Sequence, residues 1–249
     1  MFNVKDILQT EPSDIKVGIG RGTDASRVER SVCAITNKNV KIYEDPKKLI
    51  DDLYSGVIDA AVRGNISSSA ILNLLKEKAG VDHLERLVIL EPRTGSAFFM
   101  APVGIDEGWT VNEKYEMTVK AVKLMRKLGA GTRIAVMSGG RIEDRGRNKN
   151  VDRSLDDAAE LVSILQKEGY NAYNGEILIE SAAEEADLVI APDGITGNMI
   201  FRTLHFLGDA VALGAPVLNI DKVFIDTSRE KTDYVDSILL AMRLVEGKK

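Results

Sequence analysis

Short apolar runs alternate along the chain with longer amphipathic stretches, and that alternation predicts the elements. Strands are expected over Ile15–Gly20, Val40–Tyr43, Val57–Val62, Arg86–Leu90, Phe98–Val103, Arg133–Met137, Asp187–Ala191 and Pro216–Ile220. Leu87-Val88-Ile89-Leu90 and Leu188-Val189-Ile190-Ala191 are near-continuous hydrophobic runs, the mark of strands covered on both faces. Helices are expected between them. Asn112 to Gly129 places Tyr115, Val119, Val122 and Met125 on one stripe, with Asn112 as cap, Glu113 and Glu116 in the first turn, and Arg126, Lys127 and Gly129 at the close. Ser154 to Glu168 opens with Ser154 and Asp157 at capping-box spacing and continues through Ala158, Leu161, Val162 and Leu165. Thr232 to Val245 sets Val235, Ile238, Leu239, Met242 and Val245 along one face. Repeated strand-then-helix order predicts an α/β protein with a mostly parallel, doubly wound sheet. If the chain forms two lobes, the seam is expected around Ile105–Val111.

Composition narrows the class. The longest uncharged stretches, Gly64 to Leu75 and Thr94 to Ile105, fall well short of the roughly 20 apolar residues a membrane helix needs. Lys5 and Asp6 interrupt the N-terminal stretch where a signal peptide would be apolar. With a single cysteine, Cys33, these features lead us to expect a cytoplasmic protein without membrane association. The formal charge of −5 argues against a protein that coats nucleic acid. Two histidines, His83 and His205, and one cysteine cannot furnish a His/Cys metal cluster, so no metal site is expected. His205, on a mostly apolar helix, reads as structural, and Met125 and Met137 read as packing. No GxSxG or HExxH motif supports a hydrolase or metalloprotease.

Ligands of parallel α/β sheets bind at the carboxyl ends of strands, where loops lead into helix N-termini, so the strand-to-helix loops carry the functional question. Gly18-Ile19-Gly20-Arg21-Gly22 has the GxGxG spacing of an S-adenosylmethionine loop, with Glu44 after the next strand as a candidate ribose ligand. The same pattern fits a glycine-rich turn before a helix capped by Asp24. Arg63 and Ser67, in Arg63-Gly64-Asn65-Ile66-Ser67-Ser68-Ser69, read equally as an anion cradle or as plain N-capping by serine. Ser138, Gly139, Gly140 and Arg141 open a loop that holds three arginines up to Arg147. It suits a phosphate-bearing ligand or a solvated charged loop, and Glu143 and Asp144 partly offset its charge. Pro192-Asp193-Gly194-Ile195-Thr196-Gly197-Asn198 runs from a buried strand into a helix whose first turn is built of small residues, and it looks least like simple capping. Asp226-Thr227-Ser228-Arg229-Glu230 leads into the last helix.

These last two loops carry a family resemblance. APDGITGNMIFRTLHFLG resembles the strand-turn-helix of the phosphate acetyl/butyryltransferases and fatty-acid acyl-phosphate synthases, and DTSRE resembles their Ser-Arg segment. GTDASRVERSV, IDAAVRGNISSSAILNLLK and NAYNGEILIESA are similar to further family segments in the same order, so the resemblance covers nearly the whole chain. The SGGRIEDRGRN loop and the short length look most like a subgroup of methane-producing archaea known as methanogenesis marker protein 4, or as MtxX after a methyltransferase subunit X. The resemblance implies one phosphate-acyltransferase-like domain over residues 1–249, with the isocitrate/isopropylmalate-dehydrogenase fold: two closely packed lobes around a cleft, in a homodimer. It implies a phosphate or coenzyme A ligand, no cofactor, and acyl transfer between coenzyme A and phosphate. The subgroup's name implies the alternative of an accessory subunit of methanogenic C1 metabolism, bound to a methyltransferase-system partner.

By the same resemblance, Asn198 and the Gly197 amide hold acyl-phosphate oxygens, and Ser228 and Arg229 hold phosphate and the developing oxyanion. Asp236 takes the thiol proton, with Asp233 second. Arg63, Ser67, Ser138, Gly139, Gly140, Arg141, Asp193 and Thr196 complete the expected ligand-binding set. The sequence departs from the family where Glu230 replaces a glycine and where Asp236 falls one residue late, a rotation of about 100° on a helix. The chain is also shorter than the acetyltransferases, which predicts that part of a lobe or an insertion is missing. Together these departures predict an altered substrate or lost acyl transfer, with anion binding kept.

Overall fold

A computed structural model describes residues 4–8, 14–35 and 39–246. In chain order its strands are β1 (Val17–Gly20), β2 (Val40–Tyr43), β3 (Ala60–Val62), β4 (Val88–Glu91), β5 (Phe98–Ala101), β6 (Ile134–Met137), β7 (Ala172–Glu176), β8 (Leu188–Ile190), β9 (Val211–Pro216) and β10 (Val223–Asp226). The helices are α1 (Val4–Leu8), α2 (Ala25–Ala34), α3 (Pro46–Tyr54), α4 (Ser68–Ala79), α5 (Val111–Lys127), α6 (Lys149–Lys167), α7 (Ile179–Glu185), α8 (Gly194–Phe206) and α9 (Val235–Glu246). The chain forms two compact units. A terminal unit is built from Lys5–Leu84 and Leu213–Lys249, and a central unit from Met1–Val4 and Glu85–Ala212.

In the terminal unit β2, β1, β3 and β10 lie side by side and parallel, with β9 antiparallel on β10. Side chains alternate faces along each strand. Ala61 and Phe224 therefore join one buried cluster with Leu49, Ile50 and Leu53 of α3 and Ile71 and Leu75 of α4. Helix α9 packs across β1, β3 and β10 and against α2. Its Ile238, Leu240, Ala241, Met242, Leu244 and Val245 are all buried.

In the central unit the strand order is β4-β5-β8-β6-β7, parallel except for β4, which runs antiparallel on β5. Helices α5 and α6 pack together, α6 lying over β6 and β7, while α8 runs back over β4 and β5.

The mostly parallel, doubly wound α/β class expected from the pattern is the one observed. Eight strands were expected. Seven of them stand, Val40–Tyr43 with the expected ends and six with shifted ends, but Pro216–Ile220 is replaced by β9, which ends at Pro216. Strands β7 and β10 were not expected, although Val223-Phe224-Ile225 of β10 is an apolar, buried run. β7 pairs only with β6 among the parallel strands, and its Ala172-Tyr173-Asn174-Gly175-Glu176 is only partly buried. Helix starts also moved. Thr110, not Asn112, caps α5 in a reciprocal capping box with Glu113. Asn148 caps α6, which puts Ser154 inside the helix rather than at its start. Residues Ile105–Val111 form the approach to α5 within the central unit. No helix among the described residues is long and apolar enough to cross a membrane.

Candidate functional site

Of the thirteen residues singled out in the sequence, Arg63, Ser67, Ser228, Arg229 and Asp236 lie in the terminal unit. Ser138, Gly139, Gly140, Arg141, Asp193, Thr196, Gly197 and Asn198 lie in the central unit.

In the terminal unit the loops after β1, β3 and β10 meet at the carboxyl edge of the sheet. The GxGxG loop is packed from within. A Cβ on Gly20 would stand 2.5 Å from the Arg63 carbonyl oxygen, one on Gly22 2.5 Å from that of Asn65, and one on Gly64 1.9 Å from that of Gly20. The Gly22 amide donates to Asn65 Oδ1 at 2.7 Å, and Asn65 Nδ2 donates to the Asp24 carbonyl. Glu44 pairs with Arg21. The glycines thus serve the close approach of two loops, and the amide and carboxylate suited to S-adenosylmethionine are already engaged within the protein. Asp24 makes no capping bond. It accepts from the Ser26 hydroxyl and pairs with Arg27.

Arg63 is buried, and its side chain pairs with Asp226 and donates to the Ile66 carbonyl. The Arg63 amide donates to Ile225, and Thr227 Oγ1 donates to the Gly64 carbonyl at 2.8 Å. Arg63 therefore staples the β3 loop to the β10 loop. Ser67 precedes α4 without a side-chain cap and lies within hydrogen-bond distance of the Ser69 hydroxyl.

That staple fixes the segment Ser228–Asp236. Ser228 Oγ accepts from the Glu230 amide, and Arg27 donates to the Arg229 and Glu230 carbonyls. Arg229 is exposed, and its guanidinium has no partner among the described residues. Lys231, which carried no signal of its own in the sequence, turns inward and donates to Ser237 Oγ at 3.1 Å. Burial pushes its pKa down to about 8, against the pull of Asp236 and Asp233. Burial also pushes the Asp236 carboxyl up, with Lys231 opposing. Asp236 thus lies within electrostatic reach of this segment despite its one-residue offset. Tyr234, fully buried, donates from its hydroxyl to the Ser228 carbonyl at 3.3 Å and holds the turn.

In the central unit the loops after β6 and β8 leave neighbouring parallel strands in opposite directions, α6 toward β7 and α8 back over β5. This is the switch-point geometry that opens a crevice in such sheets. The loop after β6 satisfies itself. Buried Ser138 donates to the Gly140 carbonyl, the Gly139 amide donates to Ser154 Oγ, and the Arg141 amide donates to Asp144. Arg145 pairs with Asp156 and Arg147 with Asp144, leaving the exposed Arg141 guanidinium as the arginine of this loop without a carboxylate partner among the described residues.

The loop after β8 is a capped helix start after all. Asp193 accepts from the Thr196 amide at 2.8 Å and from its hydroxyl at 3.0 Å. A Cβ on Gly197 would stand 1.9 Å from the Pro102 carbonyl oxygen, and Asn198 Nδ2 donates to the Val103 carbonyl at 2.8 Å. Lys114 of α5, unread in the sequence, is buried here. It donates to the Pro192 carbonyl and pairs with Asp157 at 3.7 Å, and burial lowers its pKa. His205 is structural, its Nδ1 2.8 Å from the Ala210 carbonyl and its ring stacked on Phe201.

A branched-chain phosphotransacylase from Enterococcus faecalis superposes with a TM-score of 0.71 at 18% identity, covering 93% of this chain and 99% of that one. A 4-hydroxythreonine-4-phosphate dehydrogenase from Klebsiella pneumoniae does so with a TM-score of 0.59 at 10% identity, covering 98% and 93%. The fold is that of the phosphotransacylases, an α/β scaffold that dehydrogenases share. Because nearly all of the Enterococcus chain is matched, the expectation that part of a lobe or an insertion is missing does not hold against that protein. No family model matches the chain. In sequence it is 44% identical over 202 residues to the Methanosarcina mazei protein named "Putative methyltransferase mtx subunit X", covering 81% of this chain and 72% of that one. A protein of the same name from Methanosarcina barkeri is 42% identical over 230 residues, covering 92% and 82%. The chain belongs to this mtx subunit X family.

Proposed function

We propose that the protein binds a phosphate-bearing or coenzyme A-like ligand at the carboxyl ends of its parallel strands and transfers an acyl group between coenzyme A and phosphate. The observation that carries this reading is Arg229, a guanidinium without a partner among the described residues, held at the carboxyl end of β10 by a backbone that Arg27 and Tyr234 pin in place. An exposed fork without a carboxylate partner suits a phosphate.

In this reading Ser228 and Arg229 hold the phosphate and the developing oxyanion. In the central unit Asn198 keeps a second amide hydrogen beyond the one given to Val103, whereas the Gly197 amide is already given to the Asp193 carbonyl. The thiol sulfur attacks the acyl carbon, the C–S bond forms as the C–O bond to phosphate breaks, and the thiol proton passes to Asp236. A carboxyl raised by burial is the better proton acceptor. Residues 1–249 then act as one phosphate-acyltransferase-like domain. Incubation with a panel of acyl-CoAs and phosphate, trapping acyl phosphate as hydroxamate, tests it. Product with any of them supports the reading, and no product with all of them refutes catalysis.

A second reading is an accessory subunit that docks on a methyltransferase-system protein, and the apolar surface of α8 favours an assembly of some kind. Only Gly194 and Gly197 of this helix are buried, while Ile195, Met199 and the following Leu207 are exposed. Beside them runs the loop bearing exposed Ile105 and Trp109, whose Gly104 carbonyl packs on Gly194. A homodimer through this face is the assembly we propose. Light scattering reads it directly, and a pull-down from a methanogen that returns only this protein counts against the methyltransferase partner.

A further inference from the structure

Lys231 has no part in the roles above, yet its setting is unusual for a lysine on a loop. Its ammonium is held by the hydroxyl of Ser237, which is itself fully buried in the first turn of α9. Room for that hydroxyl depends on β9. Gly214 has φ +116, and a Cβ there would stand 3.3 Å from Ser237 Oγ. Asp233 and Asp236 are near enough to influence Lys231, but neither forms an ion pair with it among the described residues. A four-carbon stem with free rotation would ordinarily swing an ammonium onto such a carboxylate. Here Asp233 instead accepts from the Val235 amide at 2.6 Å, and the lysine stays on Ser237. An ammonium has three donors and Ser237 takes one of them. The remaining two belong to a partly buried cation two residues from Arg229 and three from Ser228.

We propose that Lys231 is an oxyanion-binding residue: held by Ser237, its ammonium completes with Ser228 and Arg229 a site at the carboxyl end of β10 for a phosphoryl group. The inference rests on the reading that this segment binds phosphate, and adds to it the residue that supplies a second positive charge. A dianionic phosphoryl group fits two cations on one short segment better than a carboxylate does. Its arrival compensates the desolvation that the lysine endures alone.

The test is isothermal titration of the full chain with inorganic phosphate, with sodium acetate as the carboxylate control. Wild type binds phosphate in preference to acetate. Lys231→Met weakens phosphate binding by about tenfold or more, the loss of one charge-assisted hydrogen bond, while Lys231→Arg keeps most of it. Because Lys231→Met removes an unpaired, partly buried charge, its melting temperature without phosphate is not below wild type, which a purely structural role would not predict. Should that variant fail to fold, reductive 13C-methylation of wild type reads the same point through the Lys231 resonance, which phosphate must shift. Phosphate binding lost in Arg229→Ala but unchanged in Lys231→Met overturns the role of Lys231 and leaves the phosphate reading standing. No phosphate binding by wild type overturns both.

Discussion

Lys231 ties part of the pH dependence of stability to one loop. Its pKa is about 8 in the folded protein against the ordinary 10.5. Between those values the unfolded chain binds more protons than the native one, so stability rises with pH across that window. Tyr54 and Tyr234, pushed up to about 12 by burial, act in the opposite direction above pH 10. Urea midpoints measured at pH 7.5 and 9.5 should therefore rise in wild type and stay flatter in Lys231→Met. Glu107 is the second residue whose environment dominates. It is fully buried and accepts from the amides of Arg86 and Gly104 as well as from the Arg86 side chain, and burial still raises its carboxyl. Glu107→Ala leaves Arg86 without that carboxylate and two amides short of an acceptor, and should cost about 3 kcal/mol in urea denaturation. Neither residue was legible in the sequence, because a lysine or glutamate in a polar loop looks the same whether it faces water or the core.

At the scale of elements, apolar runs identified most of the buried strands; they missed β7, whose partial exposure removes the hydrophobic signal, and also β10, which is short but fully buried. Helix bodies were legible and helix starts were not, since several Asx, Ser and Thr residues compete to cap each one. Thr110 prevails over Asn112 because Glu113 reaches back to the Thr110 amide at 3.3 Å and closes the box. Thr110→Ala should lower stability by about 1 kcal/mol, read from the shift in urea midpoint. Helix α8 shows the reverse case, a segment whose apolar composition suggests a core helix but whose Ile195 and Met199 face outward. Met199→Glu should leave the stability of the monomer within about 0.5 kcal/mol and abolish the dimer in light scattering. A wild type that is already monomeric would refute the interface.

For the whole molecule, the chain leaves the terminal unit after Leu84 and returns to it at Leu213, so β10 takes its place beside β3 from far along the sequence. That return brings Asp226 to Arg63 and makes a rigid base for Ser228–Lys231. A ligand bound only by the folded protein stabilises it by about 2.7 kcal/mol at a hundred times its dissociation constant. Phosphate or coenzyme A should therefore raise the melting temperature of wild type, and Arg229→Ala should abolish the rise while keeping the unliganded melting temperature. An undiminished rise in that variant would remove Arg229 from the site.

The sequence by itself determined the α/β class, most strands, the bodies of the main helices and the loops worth attention, because hydrophobic periodicity and glycine placement are local properties. The tertiary structure decided what those loops do. The GxGxG glycines became a packing surface for Asn65, Asp193 became a cap, Arg63 became a staple, and Lys231 turned inward to Ser237. Apart from the Asp193 cap, whose partner Thr196 is three residues on, each of those outcomes depends on a partner distant in the chain or on burial, and a side chain's chemistry follows from the groups that desolvate and pair with it.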